Sequence, residues 1–251
     1  MEAKVYFIGA GPGDPELITI KAVNILKKAD LIIYAGSLVP ESLVKTYAKD
    51  GSEIINSAKL NLNEIHSLMV NGVKQGKLVA RVHTGDPSLY GAIHEQSYLL
   101  ERDNIEYEII PGISAAFATA CKAKVSFTMP EISQSLIITR VEGRTKVPEG
   151  ESFESMAKHN CSMAIYLSAL KGGEIAAKCL DAGYDEQTPV VIGYRVGWED
   201  ENIVYTNLKD LERTVSHLSI NRQVVFLILP RSEQIFFSKL YDPDFSHGYR
   251  K

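Results

Sequence analysis

Four times in the first 115 residues a short apolar run ends in a loop of glycine, proline and hydroxyl residues, and a helical pattern follows. The runs are Val5–Ile8, Leu31–Tyr34, the KLVARV stretch to Val82, and Tyr107–Ile110. Strands of this length, apolar on both faces and separated by helices, predict a parallel, doubly wound α/β sheet. In such a sheet every loop after a strand falls at the same carboxyl edge, where ligands bind. The loops therefore matter more than the helices. They read Gly9-Ala10-Gly11-Pro12-Gly13-Asp14-Pro15, Ala35-Gly36-Ser37, His83-Thr84-Gly85-Asp86-Pro87 and Pro111-Gly112-Ile113-Ser114.

The first loop invites the dinucleotide fingerprint G-x-G-x-x-G. It does not fit, because the sixth position is Asp14, an anion where a phosphate would rest, and Pro12 and Pro15 remove two N–H donors. The loop instead suits close backbone packing round a ligand poor in phosphate; a tight turn without ligand is the competing reading. A nicotinamide-dependent oxidoreductase is the alternative from another reaction class. It lacks an acid after the second strand, where Tyr34-Ala35-Gly36 stands.

Thr19 suits an N-cap, with Ile20, Val23, Ile25 and Leu26 as the buried side of the first helix. Helices are expected at Ser42–Ala48, at Asn61–Val73 with Leu62, Ile65, Leu68 and Met69 as core, at 91–102, and from Ser114 through Ala120. The pattern breaks at Met129-Pro130, which places a domain boundary there: residues 1–128 form one α/β domain and 129–251 a second. The second holds strands Leu136–Thr139, Met163–Leu167 and Pro189–Tyr194, helices near 152–159, 173–182 and 208–217, and a hairpin-like pair of Asn202–Thr206 with Val224–Leu229, so its sheet is mixed. The tail has no period, and Phe236, Phe237 and Tyr241 suggest partial docking.

A net charge of -4 argues against nucleic acid as a main partner. No apolar run spans a bilayer, and MEAKVYFIGAG is no signal peptide, so no membrane partner is expected and the cytoplasm is the expected setting. Three scattered cysteines, Cys121, Cys161 and Cys179, form no metal spacing and read as small buried residues.

In order along nearly the whole chain, GAGPGDPELIT (9–19), YAGSLVP (34–40), HTGDPSLYGA (83–92), PGISA (111–115), IITR (137–140) and MAIYLSAL (163–170) resemble the tetrapyrrole (precorrin) methyltransferase family. The resemblance implies a homodimer of two-domain subunits, S-adenosylmethionine as methyl donor in the cleft between domains, and an anionic tetrapyrrole as substrate. Matched residue by residue, it implies cofactor contacts at Pro12, Gly85, Asp86, Pro87, Leu89, Ser114, Ala115, Tyr166, Leu167 and Arg195. Leu167 stands where relatives commonly carry methionine, a volume-conserving exchange.

Substrate contacts are expected from Ser37, His83, Tyr90 and Arg140 at the strand ends. His83 could move a proton, ligate cobalt, or only hydrogen-bond. Carboxylates of the substrate call for cations, for which Arg81, Arg140, Arg144, Lys146, Arg195 and Arg222 are candidates. Glu199-Asp200-Glu201 reads as a solvated turn. In-line methyl transfer needs alignment and exclusion of water, so neither a metal nor a catalytic triad is expected.

Overall fold

The computed structural model describes residues 4–231 and, beyond them, 236–238, 240, 245–246 and 248–249. It divides into two compact units: residues up to Ala118 together with Arg195–Glu201, and Thr119–Tyr194 together with the chain from Asn202. The pattern break read at 128/129 thus lies inside the second unit, because the helix Ala115–Ala123 runs on past Ala118, and a later seven-residue excursion belongs to the first.

The first unit carries a five-stranded sheet: β1 (Val5–Gly9), β2 (Leu31–Tyr34), β3 (Glu53–Asn56), β4 (Val79–His83) and β5 (Tyr107–Ile110). The order is β3-β2-β4-β1-β5 and every pairing is parallel. Side-chain alternation sends Val5, Phe7, Leu31, Ile33 and Val79 to one face, against Ile65, Met69 and Val70 of α3 (Leu62–Lys74) and Leu100 of α4 (Ile93–Arg102). Tyr6, Ile8, Ile32, Ala80 and Val82 meet the other face, against Ala22, Ile25 and Leu26 of α1 (Ile20–Leu26) and Leu43 and Val44 of α2 (Glu41–Tyr47). Burial on both faces is why these strands read as unbroken apolar runs.

Caps bound the helices. Thr19 Oγ1 accepts from Ala22 N at 3.2 Å. Asn61 and Glu64 form a reciprocal capping box, with bonds of 3.1 and 2.8 Å. Replacing Asn61 with alanine should cost about 1 kcal/mol, read from the shift in a urea midpoint.

Several expectations are corrected. The sequence reading lacks β3, whose Glu-Ile-Ile-Asn is a half-exposed edge strand with only two apolar residues. Ile20 is 80% exposed and Leu62 is exposed, since both stand in the first turn of their helices, before the apolar stripe has turned toward the sheet. Cys121 is exposed, whereas Cys161 and Cys179 are buried.

The second unit carries β6 (Leu136–Arg140), β7 (Ser162–Tyr166), β8 (Pro189–Tyr194), β9 (Asn202–Asn207) and β10 (Val224–Ile228), in the order β6-β7-β10-β8-β9. Only β6 and β7 run parallel, so the sheet is mixed. The α6 (Phe153–Ala157), α7 (Gly172–Asp181) and α8 (Leu211–Leu218) helices cover one face through Phe153, Ile175, Cys179, Leu211 and Val215.

The expected pairing of 202–206 with 224–229 does not occur. The β9 strand makes its hairpin with β8, and β10 inserts between β7 and β8. Physically, Val-Val-Phe-Leu-Ile is apolar at every position and demands a central place, while β9 is half-exposed throughout and suits an edge. Of the tail aromatics expected to dock in part, Phe236 is half-buried, Phe237 is 86% exposed, and Tyr241 lies outside the described residues. Among the described residues no helix is long and apolar enough to cross a membrane.

Candidate functional site

In the first sheet β1 and β4 are neighbours, yet the helices that follow them, α1 and α4, cover opposite faces. The chain thus changes direction between these two strands, the place at the carboxyl edge where sheets of this kind offer a ligand crevice. Glycine closes the floor of that crevice. Gly85 N donates to Gly11 O at 2.7 Å and Gly11 N returns a bond to Gly85 O at 3.3 Å, both residues standing at positive φ. The β5 loop reaches the same point: a Cβ on Gly112 would lie 2.1 Å from Gly85 O and 2.8 Å from Gly9 Cα. Three loops meet backbone to backbone, with no room for side chains.

Asp86 ties two of these loops together. Its Oδ1 accepts from Ser88 N at 2.9 Å and also from the Ser88 hydroxyl, while Oδ2 accepts from Gly112 N at 2.9 Å. Partial burial opposes its ionisation, but the bonds from Ser88 and Gly112 outweigh burial and hold the carboxyl below its ordinary value. A depressed folded-state value means stability that is present above about pH 4, where the unfolded carboxyl ionises, and lost as pH falls through the folded value. Asp86→Asn should accordingly flatten the acid limb of a Tm-against-pH curve.

Asp14 is engaged in the same local manner. Its Oδ1 accepts from Glu16 N at 2.9 Å and caps a short 3-10 turn at Pro15–Leu17, so the first loop presents no open helix N-terminus to a phosphate. Pro12 and Pro87 are buried beside the glycine floor, and Ser114 is buried at the start of α5 (Ala115–Ala123), with Ala115 next to it. Leu89 is half-buried, Tyr90 is exposed, and Ser37 is exposed in the loop after β2.

The excursion Arg195–Glu201 closes on the first glycine loop. A Cβ on Gly13 would strike the Trp198 indole at 2.5 Å, and one on Gly197, itself at φ +82, would lie 2.5 Å from Asp14 N. The Arg195 guanidinium stands 4.1 Å from the Trp198 ring centroid, and its Nε is 2.7 Å from Asp200 Oδ1. Gly197 N donates to Glu201 at 2.6 Å. Asp200 and Glu201 therefore brace this loop from the solvated turn expected at 199–201, in which Glu199 and Asp200 are exposed. Sequence reasoning passed over Trp198, the chain's one tryptophan; its composition signal was there, but its packing partner Gly13 lies far off in sequence.

Two candidates turn inward. His83 ends β4 on the α3/α4 face, is 4% exposed and packs against Phe7 with ring centroids 5.8 Å apart. Burial, reinforced by neighbouring Arg81, pushes its imidazole down to about 3, against a Gly91 backbone bond that favours the proton. It stays neutral at physiological pH and does not face the crevice as a substrate contact. Arg81 is 5% exposed and leaves the set of carboxylate-binding cations for the same reason: odd positions of β4 point beneath α4.

In the second unit, Arg140 and Tyr166 are register partners at the ends of β6 and β7. The Arg140 guanidinium is committed to its own loop, donating to Thr145 O at 3.0 Å and Lys146 O at 2.6 Å, and so shapes the loop that exposes Arg144 and Lys146. Ser168 Oγ donates to Tyr166 O at 2.7 Å and accepts from Val141 N at 3.0 Å. That pins the turn in which Leu167 stands at φ +53 and 67% exposed, an unusual conformation for a branched apolar residue.

Compared with known proteins, residues 4–212 match the model of the tetrapyrrole (corrin/porphyrin) methylases. The chain belongs to the tetrapyrrole methylase family. It is 48% identical over 250 residues to a cobalt-precorrin-4 C(11)-methyltransferase of Methanocaldococcus jannaschii, covering 99% of this chain and 96% of that one. It is 40% identical over 248 residues to a precorrin-4 C(11)-methyltransferase of Pseudomonas aeruginosa, covering 98% of each. A solved structure of a cobalt precorrin-4 methyltransferase, a cobalamin biosynthetic enzyme, superposes with a TM-score of 0.87 at 43% identity, over 90% of this chain and 95% of that one.

Proposed function

We propose that this methylase transfers a methyl group from S-adenosylmethionine to C11 of precorrin-4, free or as its cobalt complex, giving the corresponding precorrin-5 in cobalamin biosynthesis. The observation that carries the reading is the meeting of the β1, β4 and β5 loops, backbone against backbone and free of basic residues. Segments 9–15, 84–88 and 111–116 contain no lysine or arginine. Such a site repels no cation and offers carbonyl oxygens and Asp86, which suits a sulfonium and not a pyrophosphate. The likeness to C(11)-methyltransferases over nearly the whole length supports the substrate, and YAGSLVP, GDPSLYGA and GYRVGWEDE are the segments that favour this subgroup.

S-adenosylmethionine, when bound, supplies an electrophilic methyl group. The chain's own work is binding and alignment. Pro12, Gly85, Asp86, Pro87 and Leu89 would line one side, Ser114 and Ala115 the β5 side, and Arg195, Tyr166 and Leu167 would complete the contacts. Arg144 and Lys146, with Arg222, are the exposed cations available to substrate carboxylates, and Ser37 and Tyr90 would orient the ring. The reading carries with it a homodimer acting in the cytoplasm.

Leu167→Gly provides a test that separates stability from binding. Relief of the left-handed conformation should stabilise the fold by about 1 kcal/mol, whereas loss of the exposed leucine should weaken S-adenosylhomocysteine binding. For the function itself, calorimetric titration with S-adenosylhomocysteine should saturate near one equivalent per chain, with no heat from NADH in a parallel cell. Methyl transfer to precorrin-4, assayed with and without cobalt, should follow. Binding of NADH alone would replace this reading with the oxidoreductase one.

A further inference from the structure

Beneath the 83–92 loop runs a buried polar chain that neither the glycine floor nor the Asp86 bracket requires. Among the described residues the partners of Arg81 are neutral: its Nε donates to Gln96 Oε1 at 3.1 Å, and Nη1 donates to Ser57 Oγ at 2.9 Å and to Ile33 O at 3.3 Å. A buried guanidinium can only donate, so it dictates which way the Gln96 amide points. The oxygen must face Arg81, which leaves the Gln96 Nε2 to donate to Ala92 O, at 2.9 Å. His83, also buried, stands two residues further along β4 on the same face.

The chain of bonds ends on one corner. Tyr90 stands at φ +54 and Ala92 at φ +49, left-handed conformations that residues with a Cβ rarely keep without external support. Gly91 between them passes so close to Pro87 that a Cβ would lie 2.1 Å from the Pro87 carbonyl oxygen. The corner turns the chain out of the crevice loop into α4 and leaves Tyr90 exposed above it.

We propose that Gln96, oriented by Arg81, is a positioning residue that holds the left-handed Tyr90–Ala92 corner and so fixes Tyr90 against the tetrapyrrole. The inference rests on the methyltransferase reading and adds to it a division of labour within one loop. The Gly85–Asp86 half is held by Gly11 and Gly112 and serves the methyl donor. The Tyr90–Ala92 half is held from below by Arg81 and Gln96 and serves the acceptor.

Gln96→Glu is the discriminating variant. A carboxylate still accepts from Arg81, so the buried cation keeps its partner, but it has no N–H for Ala92 O and turns a lone pair toward it. The variant should fold, bind S-adenosylhomocysteine within about twofold of the parent, and raise KM for the corrin substrate about tenfold with a smaller change in kcat. Amide hydrogen exchange across residues 88–93 should quicken, while exchange across 84–87 stays unchanged. In a Tyr90→Ala background the same substitution should change KM little, because the residue it acts through is gone.

An unchanged KM, or an equal rise with and without Tyr90, would overturn the proposal. So would unaltered exchange at 88–93. If the parent protein neither binds S-adenosylhomocysteine nor methylates a corrin, the methyltransferase reading fails instead, and the exchange experiment still decides whether Gln96 holds the corner.

Discussion

Gly112→Ala should abolish S-adenosylhomocysteine binding and destabilise the first unit by about 3 kcal/mol or more, at or above the upper end of what one inserted methyl normally costs. Surface substitutions give way because a neighbour can turn aside. Here the neighbours are backbone: Gly85 O at 2.1 Å, Gly9 Cα at 2.8 Å and Gly9 C at 2.9 Å from the new Cβ. None can move alone. Gly85 is bonded to Gly11, Gly9 is paired with His83 across the sheet, and Gly112 N is held by Asp86. The strain would therefore reach all three loops. Thermal unfolding with and without S-adenosylhomocysteine would measure it: the parent should gain Tm with ligand by mass action, and the variant should not. Gly143→Ala, likewise outside the left-handed region and with nothing within 4 Å of the added Cβ, is the control for the added methyl without the steric clash.

Phe7→Ala should cost about 3–5 kcal/mol, against a total stability on the order of 5–15 kcal/mol for a folded domain. Phe7 lies fully buried in β1, between β4 and β5, and its ring packs edge-on to Tyr107 and tilted against His83, each at 5.8 Å between centroids. Its neighbours belong to a sheet pinned on both sides, so the site cannot collapse into the cavity. Phe7→Leu should cost clearly less, because most of the volume remains. A difference smaller than about 1 kcal/mol between the two variants in guanidinium unfolding would mean that the sheet relaxes round the cavity, contrary to its close packing.

Much of the first unit was legible in advance because parallel strands buried on both faces leave an unmistakable mark. Val5–Ile8 and Leu31–Tyr34 are apolar at every position, and glycine and proline punctuate their ends. Edge strands leave a weaker mark, which is why Glu53–Asn56 escaped notice. Strand partners leave almost none: β10 and β9 are both short, and only burial of every β10 side chain shows that it must lie inside the sheet.

At the site, residue types were informative and orientations were not. Arg81 and His83 sit among the loop motifs in sequence, and a strand end next to Gly-Asp-Pro suggests a ligand. The period of two along β4 turns both beneath α4, where they support the loop from behind. Arg140 likewise looked available at a strand end, yet its fork closes on two carbonyls of the loop that follows. Gln96 carried no signal at all, since its amide matters only because Arg81 stands opposite.

By itself the sequence determined the layered α/β class and the gathering of the glycine- and proline-rich loops at one sheet edge, because these depend on local composition and on the two-residue and 3.6-residue periods. Only the tertiary structure decided the strand order, the meeting of Gly9, Gly85 and Gly112, and which polar side chains face the crevice and which are walled in. Those depend on contacts between residues tens to more than a hundred positions apart, and packing at backbone distance selects among arrangements that local pattern leaves equivalent.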